Sequence, residues 1–177
     1  MIRDIPWSHT VTLAQAARGL PPQTLEASER DRKALARYLD VVSVAELTAQ
    51  VSAEPWLDGT ELHGRFSVRL TQTCSVSADD FEDTLAGDFM VRVVPRGSSN
   101  APQDESLGEV DLDPEADDPP DVAEGDTIDL AHYVVEHLAL ALDPFPRKPG
   151  AVFEPPEEEK LASPFAVLRN LHPKDGQ

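Results

Sequence analysis

Histidine and cysteine are the residue types on which metal binding and thiol chemistry depend. His132 and His137 stand five residues apart, about 140° around a helix, so they cannot share one ligand face as an i, i+4 pair would. His9, His63 and His172 are isolated in the sequence, whereas structural zinc takes about four ligands. Cys74, the single cysteine, falls on the apolar side of a strand pattern beside Leu70. There it reads as a small buried hydrophobe rather than a reactive thiol. The chain has no Gly-x-Ser-x-Gly elbow, no glycine-rich phosphate loop and no demonstrable Cys–His pairing, so no nucleophile presents itself. The acidic pair Glu82-Asp83 and the run Glu157–Glu159 read as solvated surface. The expectation is a protein that is not an enzyme, with no catalytic residue, no metal and no cofactor. The alternative is a metal-dependent hydrolase or nuclease using clustered carboxylates, since a magnesium site needs only one or two of them.

Basic residues point to a contact surface. Arg65, Arg69 and Arg92 fall on the polar sides of two strand patterns, with Arg96 at the edge, and Arg147-Lys148 follow a helix pattern as a second basic spot. Against these stand 33 acids and 15 bases in 177 residues, a net charge of −18. That excess argues against general phosphate binding and against DNA as a partner, because such binding relies on Lys and Arg displacing counterions. The plainer account of the arginines is that they solvate a sheet and pair with nearby acids.

The elements that must position these residues follow from periodicity. Val44–Ala53 alternates, with Ala45, Leu47, Ala49, Val51 and Ala53 on one side, the pattern of a half-buried strand. Asp58-Gly59 is a hairpin signal. Leu62–Cys74 then places Phe66, Val68, Leu70 and Cys74 opposite Arg65, Ser67, Arg69 and Thr71, and Phe89–Val94 groups Phe89, Val91 and Val93 opposite Arg92. A short strand at His9–Leu13 is expected to join the same sheet. Ser28-Glu-Arg-Asp31 resembles a capping box ahead of Leu35, Tyr38 and Leu39. Asp126 is expected to cap a helix over Thr127–Leu142, ended by Asp143-Pro144. Ser163-Pro164 opens a short C-terminal helix carrying Phe165, Leu168 and Leu171. The predicted fold class is α+β: a small antiparallel meander packed with one or two helices, plus an acidic disordered linker and a C-terminal helical tail.

Charge by region sets the organisation. Residues 1–96 hold 14 acids and 10 bases, residues 97–126 hold 11 acids and no base, and residues 127–177 hold 8 acids and 5 bases. The middle stretch also carries Pro102, Pro114, Pro119 and Pro120, and cannot bury enough apolar surface to offset its ordering entropy. The expected division is a β-rich part with one helix at 1–96, a mobile acidic linker at 97–125, a core helix of the same domain at 126–146, and a proline-rich segment with a short helix at 147–177. The N-terminus lacks an apolar run of signal-peptide length and no window is long enough to span a membrane, so a cytoplasmic protein with no membrane partner is expected.

Three segments carry a resemblance to a known family. They are Val68-Arg-Leu-Thr-Gln-Thr-Cys-Ser-Val-Ser-Ala-Asp-Asp-Phe81, the Asp126–Pro146 stretch with Ile128-Asp129-Leu130, an internal Glu136 and the closing Pro144 and Pro146, and Ser163-Pro164-Phe165-Ala-Val-Leu168. In this order they resemble the bacterial YceD family, the large ribosomal RNA subunit accumulation proteins. The resemblance implies ribosome biogenesis: accumulation of 23S rRNA and assembly of the large ribosomal subunit. Its partner would be a ribosomal assembly intermediate, a ribosomal protein or 23S rRNA. Many relatives carry Cys-x-x-Cys at the first segment and further Cys or His after the helix, where this chain has Cys74-Ser-Val-Ser77 and Arg147-Lys-Pro149. The candidate contact elements are the arginine face (Arg65, Arg69, Arg92, Arg96), the Glu136 side of the helix, the Arg147-Lys148 spot, and Phe165 and Leu168.

Overall fold

The computed structural model describes residues 5–102 and 118–153. The C-terminal helix expected after Ser163, with Pro164, Phe165 and Leu168, lies outside the described residues, as does the central part of the expected linker. In chain order the elements are β1 (Thr10–Thr12), α1 (Leu13–Ala16), β2 (Leu20–Glu26), α2 (Glu29–Tyr38), β3 (Ser43–Trp56), β4 (Gly59–Thr73), β5 (Asp80–Val94), β6 (Asp121–Val122), β7 (Thr127–Asp129) and α3 (Leu130–Ala141). Strands β2-β3-β4-β5-β6 form one sheet in that order, antiparallel apart from the parallel β5–β6 pair. The α+β architecture built on an antiparallel meander is therefore present.

Burial follows the pleat. Leu47, Ala49, Val51 and Ala53 from β3, Leu62, Phe66, Val68 and Leu70 from β4, and Phe89 and Val93 from β5 are buried on one face, together with Leu35 of α2 and Leu130, Val134, Val135 and Leu138 of α3. One residue breaks the expected alternation. A bulge between Val44 and Glu46 turns Val44 inward and leaves Ala45 exposed, because an extra residue on one strand flips the side chains across it.

Two glycines in the central hairpin are set by aromatic rings. Gly64 faces Phe89, and Phe66 faces Gly87, in direct cross-strand register. A Cβ on Gly64 would fall within the Phe89 ring, with even the third-nearest ring carbon at 2.7 Å, and one on Gly87 would lie 2.8 Å from the Phe66 ring. Each ring thus occupies the space a side chain would otherwise fill.

Several expectations are corrected. The β3–β4 turn is Leu57-Asp58, since Trp56 already pairs with Gly59; a Cβ on Gly59 would overlap the Val93 carbonyl, so glycine is needed there for close approach. Strand β5 begins at Asp80 rather than Phe89 and pairs with β4 along its whole length. The N-terminal strand does not join the meander: β1 pairs with β7 in a separate two-stranded sheet. That pairing takes Thr127–Asp129 out of the helix, and Asp129 rather than Asp126 is the N-cap of α3, accepting from the Ala131 N–H at 3.1 Å. Within the stretch expected as linker, β6 pairs with Val93–Val94 and Ala123 is buried with its N–H on the Val94 carbonyl. The Ser28/Asp31 capping box forms as expected, and a second one at Thr12/Gln15 opens α1.

Candidate functional site

The face of the sheet opposite the helices is the first candidate. Register places Gln50 and Asp88 on either side of Arg65, Glu46 and Thr84 on either side of Arg69, and Arg92 beside Glu61. Arg65 donates to the Gln50 amide oxygen at 2.6 and 3.1 Å. Arg69 reaches Glu46 at 3.3 Å. Arg92 donates to Glu61 at 2.9 Å and lies 5.0 Å from the centre of the Trp56 ring. Glu61 also holds His63 at 3.0 Å. The Arg92 hydrogen bond, more than any other contact, holds the Glu61 carboxyl below the usual carboxylate range.

The three arginines do share one face, and each is engaged by a polar partner. The same rows carry Glu46, Glu54, Glu61, Asp80, Glu82 and Asp88, so the face is acidic on balance. Small side chains at Thr48, Ser67 and Ala86 leave a trough of about 830 Å³ bordered by Arg65 and Asp88. It continues into a pocket of about 340 Å³ reaching His63 and Met90. Arg96 lies in the turn beyond β5, exposed and off this face.

A second cavity, about 490 Å³, brings two of the sequence candidates together. Arg92 from β5 and Glu136 from α3 both line it, with Met90, Tyr133, His137 and Leu140. His137 stacks on Phe89 with ring centres 4.5 Å apart and its Nδ1 lies 2.9 Å from the Tyr133 carbonyl. Burial, more than the nearby Asp121 carboxylate, pushes the Tyr133 phenol well above its ordinary range. Leu140 is 79% exposed at the rim. The sequence reading passed over Tyr133 and His137 as cavity residues; their signal is the i, i+3, i+4 spacing of Tyr133, Glu136 and His137 on one helical face.

Cys74 differs from the expectation of a small hydrophobe. It is 2% exposed, but its sulfur accepts backbone N–H bonds from Val76, Ser77 and Lys148, each at 3.4 Å. The Ser77 hydroxyl and then these backbone donors pull the thiol down to about 6. The Cys74–Asp79 turn thereby grips the segment after α3, where the Pro146 carbonyl accepts from the Ser75 N–H and Lys148 reaches Asp79 at 3.4 Å. Arg147 is exposed beside it. Of the other family-motif positions, Ile128 and Leu130 are buried, Phe81 is half-buried at the start of β5 and Pro144 is exposed.

Among the described residues, no three His, Cys, Asp or Glu side chains converge on a point where a metal ion could sit. No helix among them is long and apolar enough to cross a membrane. Against this geometry, the family model described as large ribosomal RNA subunit accumulation protein YceD matches residues 62–172. The match takes in most of β4 and all of β5, β6, β7 and α3. No curated protein and no solved structure matches the chain.

Proposed function

The chain belongs to the YceD family of large ribosomal RNA subunit accumulation proteins, and from that premise we propose that it is a non-enzymatic ribosome-biogenesis factor promoting 23S rRNA accumulation and assembly of the large subunit. The observation that carries the proposal is the family match over residues 62–172, well over half of the chain. The electrostatics support a particular mode of action. A chain of net charge −18 whose arginines are matched by acids on the same face repels free phosphate backbone. Its contact is therefore with a ribosomal protein or a preformed ribonucleoprotein surface in an assembly intermediate. Arg65 and Arg69 at the trough, Arg92 and Glu136 at the second cavity, and Arg147-Lys148 beside the Cys74 turn are the proposed contact residues.

Deleting the coding sequence and resolving ribosomal particles on sucrose gradients tests the function. The expected result is a lowered ratio of large to small subunits and of 23S to 16S rRNA, with small-subunit RNA affected less. Normal ratios in the deletion strain would overturn the proposal. A crosslinked pulldown sorted into ribosomal protein and RNA tests the mode of contact separately.

A further inference from the structure

We propose that the open edge of β5, from Glu82 to Met90, takes up a lysine- or arginine-rich extended segment of a partner protein as an added strand. Strand β5 pairs with β4 from Asp80 to Val93 without a register shift. On its other side β6 pairs only with Val93 and Val94. One hydrogen bond identifies the backbone groups left over. The Ala123 N–H reaches the Val94 carbonyl at 2.9 Å, so Val94 faces away from β4. Backbone groups alternate sides along an antiparallel strand. Glu82, Thr84, Ala86, Asp88 and Met90 therefore turn their N–H and C=O groups outward as Val94 does. Among the described residues no backbone group bonds to them there, and the Thr84 N–H turns to the Asp83 carboxylate at 2.8 Å. The stretch is about 30 Å long at the rise of an extended chain.

An edge of this length is a template for another strand, and bulges, proline or charge ordinarily blunt it. Here there is no bulge and no proline. What the edge carries is charge of one sign: Asp80, Glu82, Asp83 and Asp88 lie between Asp80 and Met90, with no base among them. Like charges on neighbouring strands destabilise their pairing. Two copies joined edge to edge would line up four carboxylates from each along one seam, so the charge blunts the edge against self-association. A cationic strand meets no such obstacle.

The side chains specify the rest of the occupant. Glu82 and Asp88 are exposed on the open face of the sheet, while Phe81 and Leu85 are half-buried on the opposite face. A strand alternating basic and apolar residues sets its cations beside Glu82 and Asp88 and its apolar side chains beside Phe81 and Leu85. The shared backbone bonds supply affinity and the alternation supplies selectivity. The failure of this pairing would leave the ribosomal role standing, since its test needs no ribosome.

The test titrates the isotope-labelled full chain with a peptide alternating lysine and valine, and follows amide hydrogen exchange by NMR. Exchange is expected to slow at the outward amides of Glu82, Ala86 and Asp88. The amides of Asp83, Leu85 and Gly87 should not change, because β4 already holds them. A peptide with glutamate in place of lysine should not bind. Ala86→Pro removes one outward N–H without taking a bond from β4, and should weaken binding about tenfold or more. Glu82→Lys combined with Asp88→Lys should weaken it comparably, and decides the matter if the proline variant does not fold. Absence of binding, slowed exchange without the alternation, equal binding of the glutamate peptide, or unchanged affinity in a folded variant would each overturn the proposal.

Discussion

Gly64→Ala is the most informative single change, because the structure states what the added methyl meets. The backbone conformation at Gly64 is not left-handed, so alanine costs nothing in φ. The obstacle is the Phe89 ring, whose three nearest carbons all stand inside contact distance of the new Cβ. A ring can swing away only if space exists behind it, and here His137 stacks against the ring at 4.5 Å. Relief therefore requires either an off-rotamer Phe89 or movement of α3. Overpacking of this kind costs about 1–3 kcal/mol, and the confinement on both sides puts this site near the top of that range. Loss of glycine's freedom in the unfolded chain returns about 0.4–1 kcal/mol. The net expectation is a loss of about 2 kcal/mol, or about 4–8 °C in melting temperature for a chain of this size. Gly87→Ala, with one atom of the Phe66 ring at 2.8 Å and the next at 3.0 Å, should cost about half as much. Combining Gly64→Ala with Phe89→Leu should show a coupling of about 1 kcal/mol or more in urea melts, since the second change removes what the first collides with. A Gly64→Ala variant that melts within about 1 °C of the parent, or a coupling near zero, would refute the reasoning.

Four further outcomes are expected. The folded Cys74 thiol, lowered from 9.0 to about 6, lies below its unfolded value, so its stabilising effect is fully present above about pH 9 and fades as pH falls through 6. The melting-temperature difference between the parent and Cys74→Ser should therefore widen between pH 6 and 9, and a flat difference would contradict it. Neutralising Arg65 and Arg69 together with Gln should leave stability within about 0.5 kcal/mol, as exposed pairs contribute little, while large-subunit ratios fall if that face makes the contact. Val134→Asp, fully buried on α3, should cost at least ~3 kcal/mol by burying an unpaired charge and abolish function through unfolding, which circular dichroism and gradients on the same variant will show. Ser28→Ala removes the α2 cap, whose hydroxyl accepts from the Asp31 N–H at 3.3 Å, and should lower stability by about 1 kcal/mol in thermal melts.

The alternation in β3 and β4 made the meander legible, since each exposes a polar row opposite a buried one. Strand β2 escaped notice because Pro21 and Pro22 argue against a strand. The structure places them at the edge of the sheet, beside a register shift between Leu20 and Gln23, where a missing donor is tolerated. The first half of β5 was hidden by Asp80, Glu82, Asp83 and Asp88, residues poor in strand propensity that cross-strand pairing with β4 overrides. The start of α3 was misplaced by three residues because Asp126 and Asp129 are equally good caps in sequence; only the pairing of β7 with β1 decides between them. Of the site, a shared face for Arg65, Arg69 and Arg92 could be read from period 2. The glutamates and the glutamine that engage them could not, because their proximity depends on the register of three strands.

The pairing of Thr10–Thr12 with Thr127–Asp129, reinforced by the His9 N–H on the Asp129 carboxylate at 2.8 Å and the Leu130 N–H on the His9 carbonyl at 2.9 Å, has a consequence for how the protein is made. The first strand to be synthesised has its partner almost at the other end of the described chain. At about 5–20 residues per second, β1 waits roughly 6–24 s before β7 exists to receive it. During that interval β3, β4 and β5 can already pair with one another through short connections, while the α3 side of their apolar face stays open. Birth order thus makes the meander the early unit; β7 then emerges to meet β1, and the helix that covers Phe89 is made only after it.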